Sequence, residues 1–262
     1  MRPEALGIAA MYAAAGLVCS VASISAMNCG PVSGVGIYCL AGGMILPFLY
    51  GVFALGEGAD LLKCLGMGVL TLSLVPAVTG SGEAREKGKP AGRYVLWCAV
   101  IFLTNGLVSI FSKMHQISPN AADEDSFVMA GSLIRCGAAL LLLLVIAAAE
   151  KRSGEGGLRA AFYEIGRERM TGRRFGLLLV FAAAYSVMNT LGNLLSLRCM
   201  NQMDASVQFP LLSAAVTVLT ALFGAAFFRE RIRAATWLSL ALTVLGAALI
   251  LMSPLLTAAG IG

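Results

Sequence analysis

Long apolar runs separated by short polar connections make up most of the chain. About 30 Å of hydrocarbon takes roughly 20 helical residues to cross, at about 1.5 Å each. Runs of this size cover residues 5–26, 32–55, 61–79, 94–112, 127–149, 175–197, 206–228 and 235–252. Backbone groups have no water partner in a bilayer, so spanning segments form helices or closed barrels. These runs lack strand alternation, and the pattern therefore predicts an all-α membrane protein with about eight transmembrane helices.

Composition agrees with this assignment. Apolar residues make up 58% of the chain and charged residues 13%, whereas soluble domains average about 45–50% and about 25%. The first run, preceded by Arg2, also has features of a secretory signal peptide. The repeat described below favours a retained helix instead. We therefore predict a multi-pass protein of the cell membrane whose main partner is the lipid bilayer, with no nucleic-acid partner.

The apolar runs carry no recognisable catalytic or metal-binding pattern. The seven cysteines lie mostly inside these runs, and Cys-x-x-Cys spacing does not occur. We expect free thiols, no metal and no cofactor. An intramembrane enzyme needs reactive groups at depth, such as paired aspartates or His-Glu-x-x-His. Because the runs contain neither, we predict that the chain is not an enzyme.

The basic residues are distributed unequally between the two faces of the membrane. If alternate connections lie on opposite faces, one face holds fourteen of the nineteen Lys and Arg residues and the other holds four. The remaining one, Arg135, lies inside a run. The richer face, here called the basic face, has the connections at 27–31, 80–93, 150–174 and 229–234. Lys and Arg remain cytoplasmic during insertion, so we predict that the basic face is cytoplasmic and that both termini lie outside.

The chain contains a weak internal repeat. Shifting it by 173 residues places three helices, 5–79, over three later helices, 175–252. The matched positions include Gly51 with Gly224, Glu57 with Glu230, Tyr12 with Tyr185, and Asn28 with Asn201. Five spans separate the two glutamates, and an odd number puts them on opposite faces. The pattern predicts an inverted repeat, an architecture that places a substrate site near the midplane between the two units.

Several segments resemble the EamA-like family of the drug/metabolite transporter superfamily. They are "YCLAGGMILPFLYGVFALGE" at 38–57, "TNGLVSIFSKMHQ" at 104–116, "ASVQFPLLSAAVTVLTALFGAAFFRERI" at 205–232 and "WLSLALTVLGAALILM" at 237–252. The resemblance implies ten helices in two units of five and alternating-access export of small metabolites or drugs. Here residues 1–79 supply a first unit of three helices and residues 94–254 a second unit of five. The first two helices of the usual ten are lacking.

This departure from ten helices leaves a second interpretation open. The chain is either a transporter as it stands, or a truncated EamA-like fragment. Such a fragment is inactive or completes its cavity with a partner, for which a homodimer is the simplest form. The resemblance does not identify the substrate, the coupling ion or the true start of the chain.

Uncharged polar residues inside the runs are the substrate-binding candidates. Tyr185, Asn189 and Asn193 recur every four residues and therefore share one helix face. Amides in lipid need partners, so this face lines a cavity or makes interhelical hydrogen bonds. The remaining candidates are Tyr12, Asn105, Ser109 and Gln208.

Other residues are candidates for gating or for a place at the interface. Glu57 and Glu230 end their runs beside a following helix, where a carboxylate favours the helix N-terminus. Pro47 lies deep in its run and predicts a kink or a hinge. We expect Arg135 to extend to the nearer interface, with contact to an anion as the alternative. His115 is expected to anchor its helix at the interface, or to act as a pH-sensitive gate.

Overall fold

The computed structural model describes residues 3–80, 91–119, 121–153, 172–200, 202–227 and 233–258. Within these ranges the chain forms eight α-helices and no strands. They are α1 (Pro3–Met27), α2 (Val32–Ala54), α3 (Leu61–Gly80), α4 (Ala91–Ile117), α5 (Glu124–Ser153), α6 (Gly172–Met200), α7 (Ala205–Phe227) and α8 (Ala234–Ala258). Each helix covers one predicted run, which confirms the all-α fold class.

Seven of these helices are long and apolar enough to cross a membrane by length and composition. The exception is α3, whose apolar stretch Leu61–Ala77 is shorter. Helices this apolar are stable in lipid because every backbone hydrogen bond is made within the segment. The chain is therefore a multi-pass integral membrane protein.

Helix α4 is central, since it packs along both α1 and α2. Three apolar clusters hold the bundle together. One joins α1, α5, α6 and α7 around Phe127, the second joins α2, α3, α7 and α8 around Leu70, and the third joins α1, α2 and α4 around Ile101. Small residues allow close approach in several places; a Cβ on Gly106, for example, would lie 2.6 Å from the Cβ of Leu46. Such close packing is a usual source of helix association in membranes.

Helices α3 and α8 form the most extensive pair in the bundle. A Cβ on Gly66 would lie 2.8 Å from the Gly246 carbonyl oxygen, and a Cβ on Gly246 would lie 2.9 Å from that of Gly66. One end of the same interface holds a buried hydrogen bond of 2.8 Å, which Ser239 donates to the Ser73 carbonyl oxygen.

The contacts between α3 and α8 have the pattern expected if the two helices are related by the 173-residue repeat. Gly66 aligns with Ser239 and Ser73 aligns with Gly246. In the structure Gly66 meets Gly246 and Ser73 meets Ser239. A two-fold related pair has this property, since residue i meets residue j of its mate and j meets i. The division into units at 1–79 and 94–254 remains a prediction, with which this contact agrees.

Helices α5 and α6 are packed at one end only. Phe127 and Val128 near the start of α5 are buried, as is Leu197 near the end of α6. In contrast, residues 139–148 of α5 and 179–192 of α6 are exposed throughout. Between mid-depth and the basic face, the described parts of α5 and α6 are therefore not covered by the rest of the bundle.

Candidate functional site

The end of the bundle opposite the basic face is closed around Glu57. Its two carboxylate oxygens accept hydrogen bonds from the backbone N–H groups of Ala205, at 2.8 Å, and Ser206, at 2.7 Å. These are orphan donors at the N-terminus of α7, where negative charge is favoured. Glu57 was expected to cap the helix that follows it, but it caps a helix 148 residues away along the chain. The physical reason lies in the turn that precedes it.

Glycines allow Glu57 to reach α7. Helix α2 ends at Ala54 with Leu55 as its C-cap, and Gly56 has φ of 67°, a left-handed conformation that glycine adopts at little cost. The chain then folds back, so that the Glu57 N–H donates to the Gly51 carbonyl oxygen at 3.0 Å. The Glu57 carboxylate rests directly against Gly51, where a side chain would displace it.

Two lysines reinforce this closure. Lys63 is buried; its Nζ donates to the Gly58 carbonyl oxygen at 2.9 Å and lies 3.4 Å from the Asp204 carboxylate. Lys113 Nζ donates to the Met203 carbonyl oxygen at 3.0 Å. We call the set formed by Glu57, Lys63, Lys113 and residues 203–206 the latch. It ties the α2–α3 connection and the end of α4 to the α6–α7 connection.

An aromatic cluster lies just inside the latch. The His115 ring stacks on Phe127 with centroids 3.9 Å apart and planes 12° apart, and Phe127 in turn meets Tyr12 at 5.3 Å. His115 Nε2 is 3.1 Å from the Ala122 carbonyl oxygen, which makes this nitrogen the donor. His115 is completely buried. The expectation that it anchors the helix at a lipid interface is therefore wrong, because α5 covers it.

Arg135 does not extend to the interface. Its guanidinium carbon lies 5.2 Å from the centroid of the Tyr12 ring, within cation–π range. The same group packs against Gly16, on which a Cβ would meet that carbon at 2.6 Å. Tyr12 lies beside Gly131, and Gly16 and Arg135 are each four residues further along their helices. The guanidinium therefore extends sideways against α1 and stays at the depth of the helical turn that carries Arg135.

Asn105, Ser109 and Gln208 take part in contacts to backbone oxygens. Asn105 Nδ2 donates to the Cys39 carbonyl oxygen at 2.7 Å and so joins α4 to α2, while Ser109 donates within α4 at 3.3 Å. Gln208 Nε2 donates to the Ser196 carbonyl oxygen at 2.7 Å and joins α7 to α6. The Oε1 atom of Gln208 is buried without a partner among the described residues. The structure thus places these candidates in two separate interfaces rather than around one point.

The polar stripe predicted on α6 is largely exposed. Tyr185 is 73% exposed, Asn189 is exposed and Asn193 is half-buried. Within the described part of the chain, none of the three side chains makes a hydrogen bond. Tyr12, the counterpart of Tyr185 under the repeat, is buried instead. The stripe thus presents polar groups at membrane depth on a face that the described residues leave exposed.

Pro47, Glu230 and the expected absence of a metal complete the list of candidates. Pro47 is fully buried inside α2, which continues through it to Ala54. Its role as a hinge is a prediction. Glu230 lies outside the described residues. Among the residues described, no group of His, Cys, Asp and Glu side chains is arranged to hold a metal ion.

Sequence reasoning missed the lysine contacts of the latch, although a signal for them was present. Lys63, Lys113 and Asp204 all fall in or beside connections that alternate to the same face. Oppositely charged residues placed on one face of a membrane protein are natural partners. The sequence carries no comparable signal for the contact between Arg135 and Tyr12, because it depends on the packing of α1 against α5.

Comparison with known proteins completes this description. The model of the EamA-like transporter family matches residues 92–252, which is more than half of the chain. No curated protein matches the chain. Fifteen chains of solved structures match it. One of them, described only as the crystal structure of a protein, is 18% identical, with a TM-score of 0.60 over 95% of this chain and 78% of its own. At that identity the likeness shows the fold alone.

Proposed function

Because the chain belongs to the EamA-like transporter family, we propose that it is a secondary transporter of small metabolites that works by alternating access. Membrane transport in general follows from the family. The mechanism, the substrate class and the direction of transport are our proposal. We keep export as the expected direction.

The observation that carries this proposal is a difference between the two ends of the bundle in the described residues. At the latch end, Glu57 and the two lysines connect the α2–α3 connection, α3 and α4 to the start of α7 and the two residues before it. Towards the basic face, α5 and α6 have no comparable contacts along residues 139–148 and 179–192. A bundle whose helices are tied together at one end, with two of them exposed towards the other, has the asymmetry expected of one of the two states that alternating access requires.

The internal repeat suggests what the other state uses. The shift of 173 residues that aligns Glu57 with Glu230 also aligns residues 205–206 with residues 32–33, at the start of α2. In the described residues the cap position of α2 is Pro31, which provides no side-chain hydrogen bond to that helix end. We propose that Glu230 caps the N-terminus of α2 in the state closed at the basic face. Glu57 caps the N-terminus of α7 in the same way in the state closed at the latch.

The polar stripe of α6 is our candidate for the lining of the solute path. Uncharged amides and hydroxyls can bind polar solutes without the desolvation cost of a fixed charge. The side chains of Tyr185, Asn189 and Asn193 make no hydrogen bond in the described structure. Asn105 and Gln208 donate hydrogen bonds to backbone oxygens. They can bind a solute only if those hydrogen bonds are replaced by hydrogen bonds to the solute.

A homodimer is the second arrangement that an observation favours. Polar groups facing hydrocarbon without partners each cost up to several kcal/mol. The exposure of Tyr185 and Asn189 on α6 is therefore unfavourable in an isolated chain surrounded by lipid. A second copy that covers this face would remove the cost and supply the other wall of the path.

Reconstitution into liposomes tests the proposed function. Vesicles with and without the purified protein are incubated with a defined mixture of small metabolites, and their contents are analysed by mass spectrometry. We expect at least one metabolite to accumulate faster in the protein-containing vesicles and to show saturation. Equal accumulation across the whole mixture, with the protein folded and inserted, would contradict the proposal.

A further inference from the structure

A positive charge lies at the centre of the membrane span. Arg135 is the twelfth of the 25 residues of the segment Glu124–Ala148. Gly16, against which its guanidinium packs, is the fourteenth of the 25 residues of Pro3–Met27. Both positions are close to the middle of their spans, and so is the guanidinium between them. Ionisable groups at this depth are costly and usually serve a function.

The guanidinium has an aromatic neighbour but no carboxylate partner among the described residues. The Tyr12 ring lies beneath it at 5.2 Å. The Nε atom is buried and has no hydrogen-bond partner. Within the part of the chain that the structure describes, Arg135 makes no salt bridge. The residue is nevertheless half-buried rather than enclosed, and its two terminal nitrogens are not among the buried unpartnered atoms. Part of the donor fork is therefore accessible.

The sequence provides no carboxylate that could reach this depth from a neighbouring helix. No Asp or Glu occurs between Glu4 and Glu57, or between Asp125 and Glu150. The ranges 91–117 and 172–200, which cover α4 and α6, contain none at all. A cation–π contact offsets only part of the cost of removing a guanidinium from water. Among the described residues the charge therefore has no carboxylate partner, and a bound solute could supply one.

We propose that Arg135 binds the carboxylate of a small organic acid, with Tyr12 as the second wall of the site. One guanidinium neutralises one negative charge, so a monocarboxylate leaves no net charge at mid-depth, whereas a phosphate dianion would. The planar fork of arginine also matches the two oxygens of a carboxylate. The Tyr12 hydroxyl makes no hydrogen bond among the described residues and is available to the ligand. This inference rests on the proposed transport function and names the class of solute.

The experiment compares acids with their neutral amides. Purified protein in detergent, at constant chloride, is melted with acetate and benzoate, and in parallel with acetamide and benzamide. We expect at least one acid to raise the melting temperature more than its amide. In Arg135→Gln the affinity for that acid should fall by about 10- to 100-fold, as expected for the loss of a charge-assisted fork. Arg135→Lys should keep part of it, and Arg198→Gln, which removes an exposed arginine from α6, should keep all of it.

A second variant moves the charge without removing it. Gly16→Ala places a methyl group against the guanidinium, which is the flexible end of its side chain and must shift. Gly7→Ala, on the same helix with nothing within 4 Å of the new Cβ, is the matched control. We expect weaker acid binding in Gly16→Ala and unchanged binding in Gly7→Ala. This pair keeps the test decisive even if Arg135→Gln does not fold.

The outcomes separate this inference from the proposed function. If no acid stabilises the protein more than its amide, if Arg135→Gln binds as well as the wild type, or if added chloride reproduces the effect, the carboxylate site is wrong, whatever the liposomes transport. If the acid binds through Arg135 but no solute crosses the vesicle membrane, the site stands and the transport proposal fails.

Discussion

Replacing Glu57 with glutamine tests whether the latch holds the described state. Glutamine keeps one carbonyl oxygen for either Ala205 or Ser206, but its amide NH₂ then faces the other backbone N–H. One charge-assisted hydrogen bond is lost, at about 1.5–3 kcal/mol, together with the charge–dipole attraction to α7, at about 0.3–1 kcal/mol. Glu57 is half-buried, which favours the middle of this range. We expect the latch to lose about 2–3 kcal/mol, which corresponds to about 30- to 150-fold more opening.

Hydrogen exchange measures that opening directly. Ala205 and Ser206 are completely buried, and their amide protons are protected by the Glu57 carboxylate. In Glu57→Gln, peptides that cover residues 203–209 should exchange about 30- to 150-fold faster, while peptides from the α3–α8 interface stay unchanged. Asp125→Asn is the control, because it removes an exposed acidic group from the same end of the bundle. Unchanged protection of residues 205 and 206 in the glutamine variant would refute the latch.

Three further predictions concern packing, the polar candidates and assembly. Gly66→Ala should destabilise the protein by about 1–3 kcal/mol, because its Cβ would meet the Gly246 backbone. Gly68→Ala, with nothing within 4 Å of the new Cβ, should leave stability unchanged, and melting curves of the two variants test this difference. Asn105→Ala should lower the melting temperature through the loss of its bond to Cys39, worth about 0.6–2 kcal/mol, whereas Asn189→Ala should leave stability unchanged and reduce solute uptake. An equal loss of stability in the two Asn variants would contradict this distinction. Native mass spectrometry should show a homodimer, and a fully active monomer would contradict pairing through α6.

The helices could be predicted from the sequence because their signal is local. A run of about 20 apolar residues is stable in lipid only as a helix, so the positions of α1 and α4 follow from composition. The repeat stays a prediction, which rests on residues such as Glu57 and Glu230 that differ from their apolar surroundings. Helix ends were less certain. Helix α5, for example, begins at Glu124 rather than at residue 127, because polar residues outside the hydrocarbon can still be helical.

Side-chain partners could not be predicted, because they depend on which helices are neighbours. The stripe on α6 was recognised by its spacing, but the spacing does not say what it faces. Asn105 looked equivalent to Asn189, yet only Asn105 lies opposite a helix whose Cys39 carbonyl oxygen is within reach. Glu57 was recognised as a capping residue, but its helix was not the next one in the chain. Arg135 was expected at the interface because it lies in the first half of the run 127–149. The sequence did not show that Gly16 and Tyr12 on α1 form a surface against which its guanidinium packs.

A single cysteine within the latch tests alternating access most directly. In a cysteine-free background, Ser206→Cys places a thiol at a completely buried position that becomes accessible only when the latch opens. Liposomes containing this variant are given a solute that the protein accumulates, together with a membrane-impermeant thiol reagent on the latch side. Alternating access predicts that labelling proceeds during transport and that fully labelled protein no longer transports, because the latch cannot close again. Undiminished uptake after complete labelling, or uptake while position 206 stays unlabelled, would contradict it.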